Sequence, residues 1–126
     1  MKYFFDNNLS PRYAAMLRAL DVDVTHLREH YGRGDIDDEV WMPEIAKEGW
    51  VAVTQDRAIE RRPHQAALRQ RVGLRMIYLP SAFMKMPLWD QATFLVRLWR
   101  QIDQAAEDMR GGVGLLLQQR GRFRRV

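Results

Sequence analysis

Acidic residues follow apolar segments at three places in this 126-residue chain, in positions where they could bind a divalent cation. Asp6 comes directly after the apolar run at residues 2–5, and Asp56 closely follows the run at residues 50–54. An acidic cluster at residues 35–39 follows a third apolar run. The chain has no Cys and three His, so its candidate ligands are mainly carboxylate oxygens, which favour Mg²⁺ or Mn²⁺.

Bringing these carboxylates together is unfavourable without a cation. Two like charges 4 Å apart repel by about 4 kcal/mol at an effective dielectric constant of about 20. A metal ion at such a site can generate hydroxide and stabilise charge on a phosphate, which predicts metal-assisted hydrolysis of a phosphodiester. A structural interpretation competes with this one, because Asp37 and Asp38 would also serve as helix caps or dipole partners.

The segments that must position these acids alternate between predicted strands and helices. Apolar runs predict strands near residues 2–5, 22–27, 50–54 and 74–79, with a loop over 28–36. Helices are predicted from Ser10 and Pro11, from Asp37 or Asp38, over 58–72 with a break before Pro63, and over 88–109.

This alternation predicts an α/β fold, a three-layer α/β/α sandwich around a mainly parallel sheet of four or five strands. A strand order of 2-1-3-4 would place Asp6 and Asp56 at the same edge of the sheet. That edge, at the carboxyl ends of the strands, is where open parallel sheets bind ligands. We expect this domain to span residues 1–110, followed by a basic tail or edge strand over 111–126, with the apolar patch at 113–117 as the edge strand.

Charge divides the chain into an acidic part and a basic part. Residues 1–56 carry a net charge of −5 and residues 57–126 a net charge of +9, and 17 of the 20 basic residues are Arg. Arg grips phosphate with two parallel hydrogen bonds, so the basic part suits a polyanionic substrate, with a merely solvated surface as the alternative. The candidate phosphate-binding residues are Arg57, Arg61, Arg62, Arg122 and Arg124.

Three stretches of this sequence resemble the compact PIN-like domains of prokaryotes, which are related to VapC-type toxins. They are residues 5–12 (FDNNLSPR), 34–41 (GDIDDEVW) and 49–57 (GWVAVTQDR), and the resemblance extends over residues 3 to about 100. In that family, acids after the first strand, at the start of the helix after the second, and after the third bind Mg²⁺ or Mn²⁺ for RNA cleavage. The resemblance carries these roles to Asp6, Asp38 and Asp56.

The sequence departs from the fullest members of that family at two positions. Asn7 and Ala58 stand where many relatives have Glu and Asp, so the site has fewer acids and the number of metals stays open. The middle ligand also stays open among Asp37, Asp38 and Glu39; Asp38 is favoured, and Glu39 is next. By the same resemblance, the supporting residues are Asn8 and Ser10, which would position Asp6, and Thr54, which would hydrogen-bond a carboxylate or a water on the metal.

The expected function is therefore that of a Mg²⁺- or Mn²⁺-dependent endoribonuclease, the toxin of a toxin–antitoxin pair. Its expected partners are RNA and a cognate antitoxin protein, and the apolar faces at 88–109 and 113–117 would serve the antitoxin or a homodimer. A catalytically silent nucleic-acid or protein-binding module on the same scaffold is the alternative. The absence of Cys and of any apolar run of about 20 residues predicts a cytoplasmic protein without a membrane span.

Aromatic and imidazole side chains are predicted to be structural. The four tryptophans could stack bases, but each lies on an apolar face or in a strand, which predicts core positions. His26 and His30 have the four-residue spacing of metal ligands on a helix, yet they fall at a strand end and in a loop. We therefore expect core or surface histidines here.

Overall fold

A single sheet of six strands organises the part of the chain that the computed structural model describes, residues 1–55 and 63–126. The strand order is β2-β1-β3-β4-β5-β6, and all neighbours are parallel except the antiparallel pair β5–β6. In chain order the strands are β1 (Tyr3–Phe5), β2 (Val24–His26), β3 (Val51–Thr54), β4 (Arg75–Tyr78), β5 (Gly114–Leu117) and β6 (Phe123–Arg125). The α/β class and the order of the first four strands are confirmed, and β5 and β6 bring the sheet to six strands rather than four or five.

Helices connect the parallel strands. Within the described residues they are α1 (Pro11–Ala19), α2 (Leu27–Tyr31), α3 (Asp38–Glu48), α4 (Pro63–Val72), α5 (Ser81–Met84) and α6 (Leu88–Asp108). Helix α2 begins at Leu27, the last residue of the predicted strand, and continues into the segment predicted as a loop. It forms because the His26 side chain accepts a hydrogen bond from the backbone at the start of the helix while Glu29 reaches back to the His26 amide, an arrangement that satisfies the free N–H groups of the first turn.

The helix starts that position the site follow local sequence signals. The Ser10 hydroxyl accepts a hydrogen bond from Arg12 N at 3.2 Å, and Pro11 is the first residue of α1. Asp37 occupies the N-cap position of α3, and the helix begins at Asp38, one of the two predicted starts. Gly49 ends α3 with φ of +76°, a left-handed conformation that favours glycine.

The core lies in two layers because successive strand residues face opposite sides of the sheet. Tyr3 and Phe5 of β1 pack with α1 and α6, whereas Phe4 packs on the other side with Trp41 of α3. The same division holds along β3 and β4. Helices α1, α5 and α6 thus cover one face and α2, α3 and α4 the other, which gives the predicted three layers.

One prediction about the tryptophans is wrong. Trp41 and Trp99 are buried and Trp50 is half-buried, but Trp89 is 83% exposed. It lies in the first turn of α6, where Phe94 and Leu95 face the core and Trp89 falls on the outer side of the helix.

The C-terminal residues extend the same sheet. Strand β5 pairs with β4, and β6 returns antiparallel with Leu117 opposite Phe123 and Leu116 opposite Arg124. Among the described residues, no helix has the length and apolar character that a membrane crossing requires.

Candidate metal centre

Asp6 lies where two neighbouring parallel strands end. Strands β1 and β3 pair with Phe5 opposite Val53, so Asp6 comes beside Thr54, and the Asp6 amide donates to the carbonyl of Val53 at 3.4 Å. The Asp6 side chain is almost fully buried, with 3% of its surface exposed. The strand order predicted from the sequence is what brings β1 and β3 together.

Thr54 and Asn8 both donate hydrogen bonds to the Asp6 carboxylate. Thr54 Oγ1 donates to Asp6 Oδ2 at 2.5 Å, and the Asn8 backbone amide donates to Oδ1 at 3.2 Å. Asn8 Nδ2 adds a longer contact to Oδ2 at 3.5 Å. Hydrogen bonds to an ionised carboxylate compensate part of the cost of burying its charge. The contacts expected for Asn8 and Thr54 are present, whereas the Ser10 hydroxyl is engaged in capping α1.

Hydrogen bonds from residues at the ends of β2 and β3 hold the loop after β1 in place. His26, fully buried at the end of β2, contacts the Leu9 carbonyl through Nε2 at 2.6 Å; because its Nδ1 accepts from Arg28 N, Nε2 carries the proton. From β3, Gln55 Nε2 donates to the Asn8 carbonyl at 2.6 Å. Burial lowers the pKa of His26 below its ordinary value, although the Leu9 hydrogen bond opposes that shift. This histidine is thus a structural anchor of the candidate site.

Asp38 is the member of the acidic cluster that is turned into the protein. Trp41 Nε1 donates to Asp38 Oδ1 at 2.9 Å, and Gln65 Nε2, from α4, donates to Oδ2 at 2.8 Å. Asp37 makes no side-chain capping hydrogen bond and is exposed, and Glu39 is exposed with Oε1 3.8 Å from His64 Nε2. Of the three candidates for the middle ligand, the geometry therefore favours Asp38.

The described residues do not by themselves complete a metal site. No group of three or more His, Cys, Asp or Glu that could hold a metal occurs within residues 1–55 and 63–126, so Asp6, Asp38 and Glu39 do not form one together. The predicted third ligand, Asp56, lies outside the described residues, as do Arg57, Arg61 and Arg62.

The donor chemistry nevertheless fits Mg²⁺ or Mn²⁺. Asp6, Asp38 and Thr54 offer hard oxygen atoms, which these cations prefer. In addition, the Gln65 side-chain oxygen Oε1 is buried and has no hydrogen-bond partner in the part of the chain that the structure describes. An orphaned buried oxygen beside a carboxylate is a feature that a bound cation would explain.

The two candidate tail arginines lie far from Asp6 along the sheet. Arg124 is in β6, and Arg122 precedes that strand, its carbonyl accepting from Gln118 N at 2.7 Å. Both side chains are exposed. Four strand spacings separate β1 from β6, or roughly 19 Å at about 4.8 Å each. These arginines could contact only a substrate that extends across the sheet.

Sequence reasoning missed Gln65, and no sequence signal points to it. It is uncharged and stands 27 positions after its partner Asp38. It also missed Arg69, which is buried on the next turn of α4, donates from Nε to the Gly112 carbonyl at 3.1 Å and contacts the Tyr78 hydroxyl through Nη1 at 3.2 Å. Only the packing of α4 against the sheet reveals either residue.

Comparison with known protein families identifies the chain. The family model for the PIN-like domain matches residues 1–81, which include β1 to β4, Asp6, Asp38 and Gln65. The chain therefore belongs to the PIN-like domain family. Searches of curated proteins and of solved structures find no match.

Proposed function

We propose that this PIN-like protein is a divalent-cation-dependent endoribonuclease that hydrolyses RNA phosphodiesters. The observation that carries the proposal is the burial of the Asp6 carboxylate at the carboxyl edge of the sheet, where Thr54 and Asn8 hold it. The carboxyl ends of parallel strands are where open α/β sheets bind ligands. A carboxylate held at that edge is a hard oxygen ligand of the kind that Mg²⁺ and Mn²⁺ prefer.

In this proposal the chain's own groups hold and orient the cation. Asp6, Asp38 and Asp56 provide the carboxylates, and Mg²⁺ or Mn²⁺, when bound, supplies an activated nucleophile and charge stabilisation at the phosphate. Thr54 fixes Asp6, while Trp41 and Gln65 fix Asp38, so neither carboxylate needs to reorganise when substrate arrives. The arginines at 57, 61, 62, 122 and 124 hold the RNA backbone.

Cleavage of a mixed RNA pool tests this proposal. We expect cleavage with Mg²⁺ or Mn²⁺, none with excess EDTA, and loss of cleavage in Asp6→Asn, Asp38→Asn and Asp56→Asn. The matched control is Asp35→Asn, since Asp35 is exposed and pairs with Arg33 at 3.2 Å. Cleavage that survives EDTA, or that Asp56→Asn retains in excess Mg²⁺, would place the chemistry elsewhere.

A catalytically silent binding module is the second candidate, and Asn7 favours it. Where fuller relatives would have an acid, the Asn7 side chain accepts a hydrogen bond from Arg28 Nε at 2.8 Å, so it serves the loop after β1. This candidate predicts RNA binding without cleavage at any divalent cation concentration. The same RNA assay, read by binding as well as by cleavage, separates the two functions.

We further propose that the protein acts in the cytoplasm as the toxin of a toxin–antitoxin pair, with the antitoxin docked between α1 and α6. The predicted apolar face of α6 is mostly core, but its residues Trp89 and Val96 are exposed, as is Leu20 at the end of α1. A groove of about 450 Å³ beside Leu20 and Val96 is also lined by Arg97 and Arg100. These arginines suit an acidic amphipathic segment and would repel each other across a homodimer interface.

Docking at this groove is tested by expressing the protein with its neighbouring open reading frame. We expect a complex that survives gel filtration and is lost in Val96→Glu, with the exposed substitution Thr93→Glu as the control. A protein that instead elutes alone as a dimer, and becomes monomeric on Val96→Glu, would assign the groove to a second copy of the chain.

A further inference from the structure

Gln65 is a buried polar residue that the family resemblance does not explain. It belongs to α4, exposes 4% of its surface, and donates from Nε2 to Asp38 Oδ2 at 2.8 Å. The orientation of its amide is fixed by chemistry, because the opposite orientation would place Oε1 against a carboxylate oxygen. Nε2, and not Oε1, is therefore the atom that faces Asp38 Oδ2.

The Gln65 oxygen has no hydrogen-bond partner within residues 1–55 and 63–126. Oε1 is fully buried and accepts no hydrogen bond from any of these residues. Buried side-chain oxygens in folded proteins are nearly always paired with a donor or a ligand. This oxygen is bonded through one carbon to the nitrogen that donates to Asp38, so the amide oxygen and the Asp38 carboxylate are neighbours in the fold.

The surroundings keep the Gln65 amide in place. Trp41 Nε1 donates to the other oxygen of Asp38 at 2.9 Å, so this carboxylate is held from two sides. One turn after Gln65, Arg69 fastens α4 to the Gly112 carbonyl and to the Tyr78 hydroxyl. Both Asp38 and Gln65 are thus fixed by neighbouring elements before any ligand binds.

We propose that Gln65 is part of the divalent cation site, with Nε2 orienting Asp38 and Oε1 supplying an uncharged oxygen ligand to the same cation. This inference rests on the proposed function, since it assumes that Asp38 binds a cation. Gln65 would hold the cation together with Asp38 and would supply an oxygen without adding a second negative charge beside that carboxylate.

Calorimetric titration of the full chain with Mn²⁺ tests the assignment without measuring catalysis. We expect Gln65→Leu to bind Mn²⁺ about 10- to 100-fold more weakly than the wild type. Gln65→Glu should bind at least as tightly as the wild type, since it restores an oxygen and adds a charge. The control is Gln70→Leu, an exposed position of the same helix, which should bind like the wild type. Thermal unfolding of each variant verifies that it is folded.

Gln65→Leu and Gln65→Glu together distinguish a metal ligand from a residue that only orients Asp38. If Gln65 only clamped Asp38 through Nε2, Gln65→Glu would lose that donor and bind Mn²⁺ as weakly as Gln65→Leu, which would overturn the proposal. Equal affinity of Gln65→Leu and the wild type would overturn it too. A wild-type protein that binds Mn²⁺ but leaves RNA intact would refute the nuclease function and keep the Gln65 assignment, whereas no Mn²⁺ binding at all would refute both.

Discussion

The hydrogen bond between Thr54 and Asp6 offers a direct measurement of how the candidate site is held. Thr54 is fully buried, and its hydroxyl donates to Asp6 Oδ2 at 2.5 Å. The substitution Thr54→Val keeps the shape of the side chain and removes the donor. Among the described contacts to Oδ2, the longer one from Asn8 Nδ2 at 3.5 Å remains, so the carboxylate loses the shortest of its described hydrogen bonds.

The expected cost follows from the charge and burial of this contact. Hydrogen bonds to charged groups contribute about 1.5–3 kcal/mol, and a buried acceptor left without its donor costs an amount of the same order. We therefore expect Thr54→Val to lower the free energy of unfolding by about 1.5–3 kcal/mol. For a chain of this length, one kcal/mol shifts the melting temperature by roughly 4 °C, which predicts a decrease of roughly 6–12 °C.

Urea unfolding of the two single variants and the double variant isolates the contact. In a cycle of Thr54→Val and Asp6→Asn, we expect a coupling energy of at least about 1 kcal/mol, because the two side chains touch. Thr93→Val is the matched control, since the Thr93 hydroxyl also donates, to the Trp89 carbonyl at 2.8 Å, but is exposed. We expect that control to change stability by less than about 0.5 kcal/mol.

A change in the free energy of unfolding that is as small for Thr54→Val as for Thr93→Val would refute the stabilising role of the Thr54–Asp6 hydrogen bond. A coupling energy near zero in the double-variant cycle would likewise show that Thr54 acts independently of Asp6. In either case the Asp6 carboxylate would have to be held by other groups, and its preorganisation for a cation could not be attributed to β3.

Three further predictions concern the rest of the molecule. Gly114→Ala would place its Cβ 2.3 Å from Arg69 Nη1. We therefore expect the free energy of unfolding, measured in urea, to decrease by about 1–3 kcal/mol. Because burial lowers the pKa of His26, the folded state favours the neutral ring. The contribution of His26 to the free energy of unfolding should be complete above pH 6.5 and should be lost as the pH falls through the lower folded pKa. In His26→Gln we expect a flatter dependence of stability on pH. Replacing Arg122 and Arg124 by Ala should reduce the slope of log RNA affinity against log salt by about 1.4, at 0.7 per phosphate, and leave kcat unchanged.

Each of these predictions has its own control. Gly114→Ala should cost less in an Arg69→Ala background, and an additive double variant would contradict the proposed clash. His64→Gln should keep the pH profile of the wild type, because His64 is exposed; an unchanged profile in His26→Gln would mean that other groups set it. Gln118→Ala should leave the slope of log RNA affinity against log salt unaltered. An unaltered slope after replacement of Arg122 and Arg124 would mean that the tail does not contact RNA.

Much of the sheet could be predicted from local sequence. Apolar runs ending in polar residues mark β1 and β3, and the Ser10–Pro11 pair marks the start of α1. The alternation of strands with helices restricts the topology, because parallel neighbours need crossover connections. The proximity of Asp6 and Thr54 follows from the resulting strand order, so the part of the site that lies on neighbouring strand ends was predictable.

Short elements were not predictable. Helix α2 has five residues, too few to show a helical period, and it exists because His26 and Glu29 cap its first turn. Strand β6 reads in sequence as a basic segment, and its conformation comes from pairing with β5. Tryptophan is a residue type typical of protein cores, yet the rotation of α6 against the sheet leaves the Trp89 side chain exposed to solvent.

The inward orientation of Asp38 within its acidic cluster, and its contact with Gln65, depend on tertiary structure alone. Neighbouring acids in one sequence look alike, and only the docking of α3 against Phe4 and of α4 against the sheet turns one of them towards buried donors. Periodicity and capping act between residues a few positions apart, so the sequence by itself determined the longer elements, strands β1 and β3, and the edge of the sheet at which Asp6 lies. Contacts across 27 positions, such as Gln65 with Asp38, depend on how completed elements pack, and no local pattern carries that information.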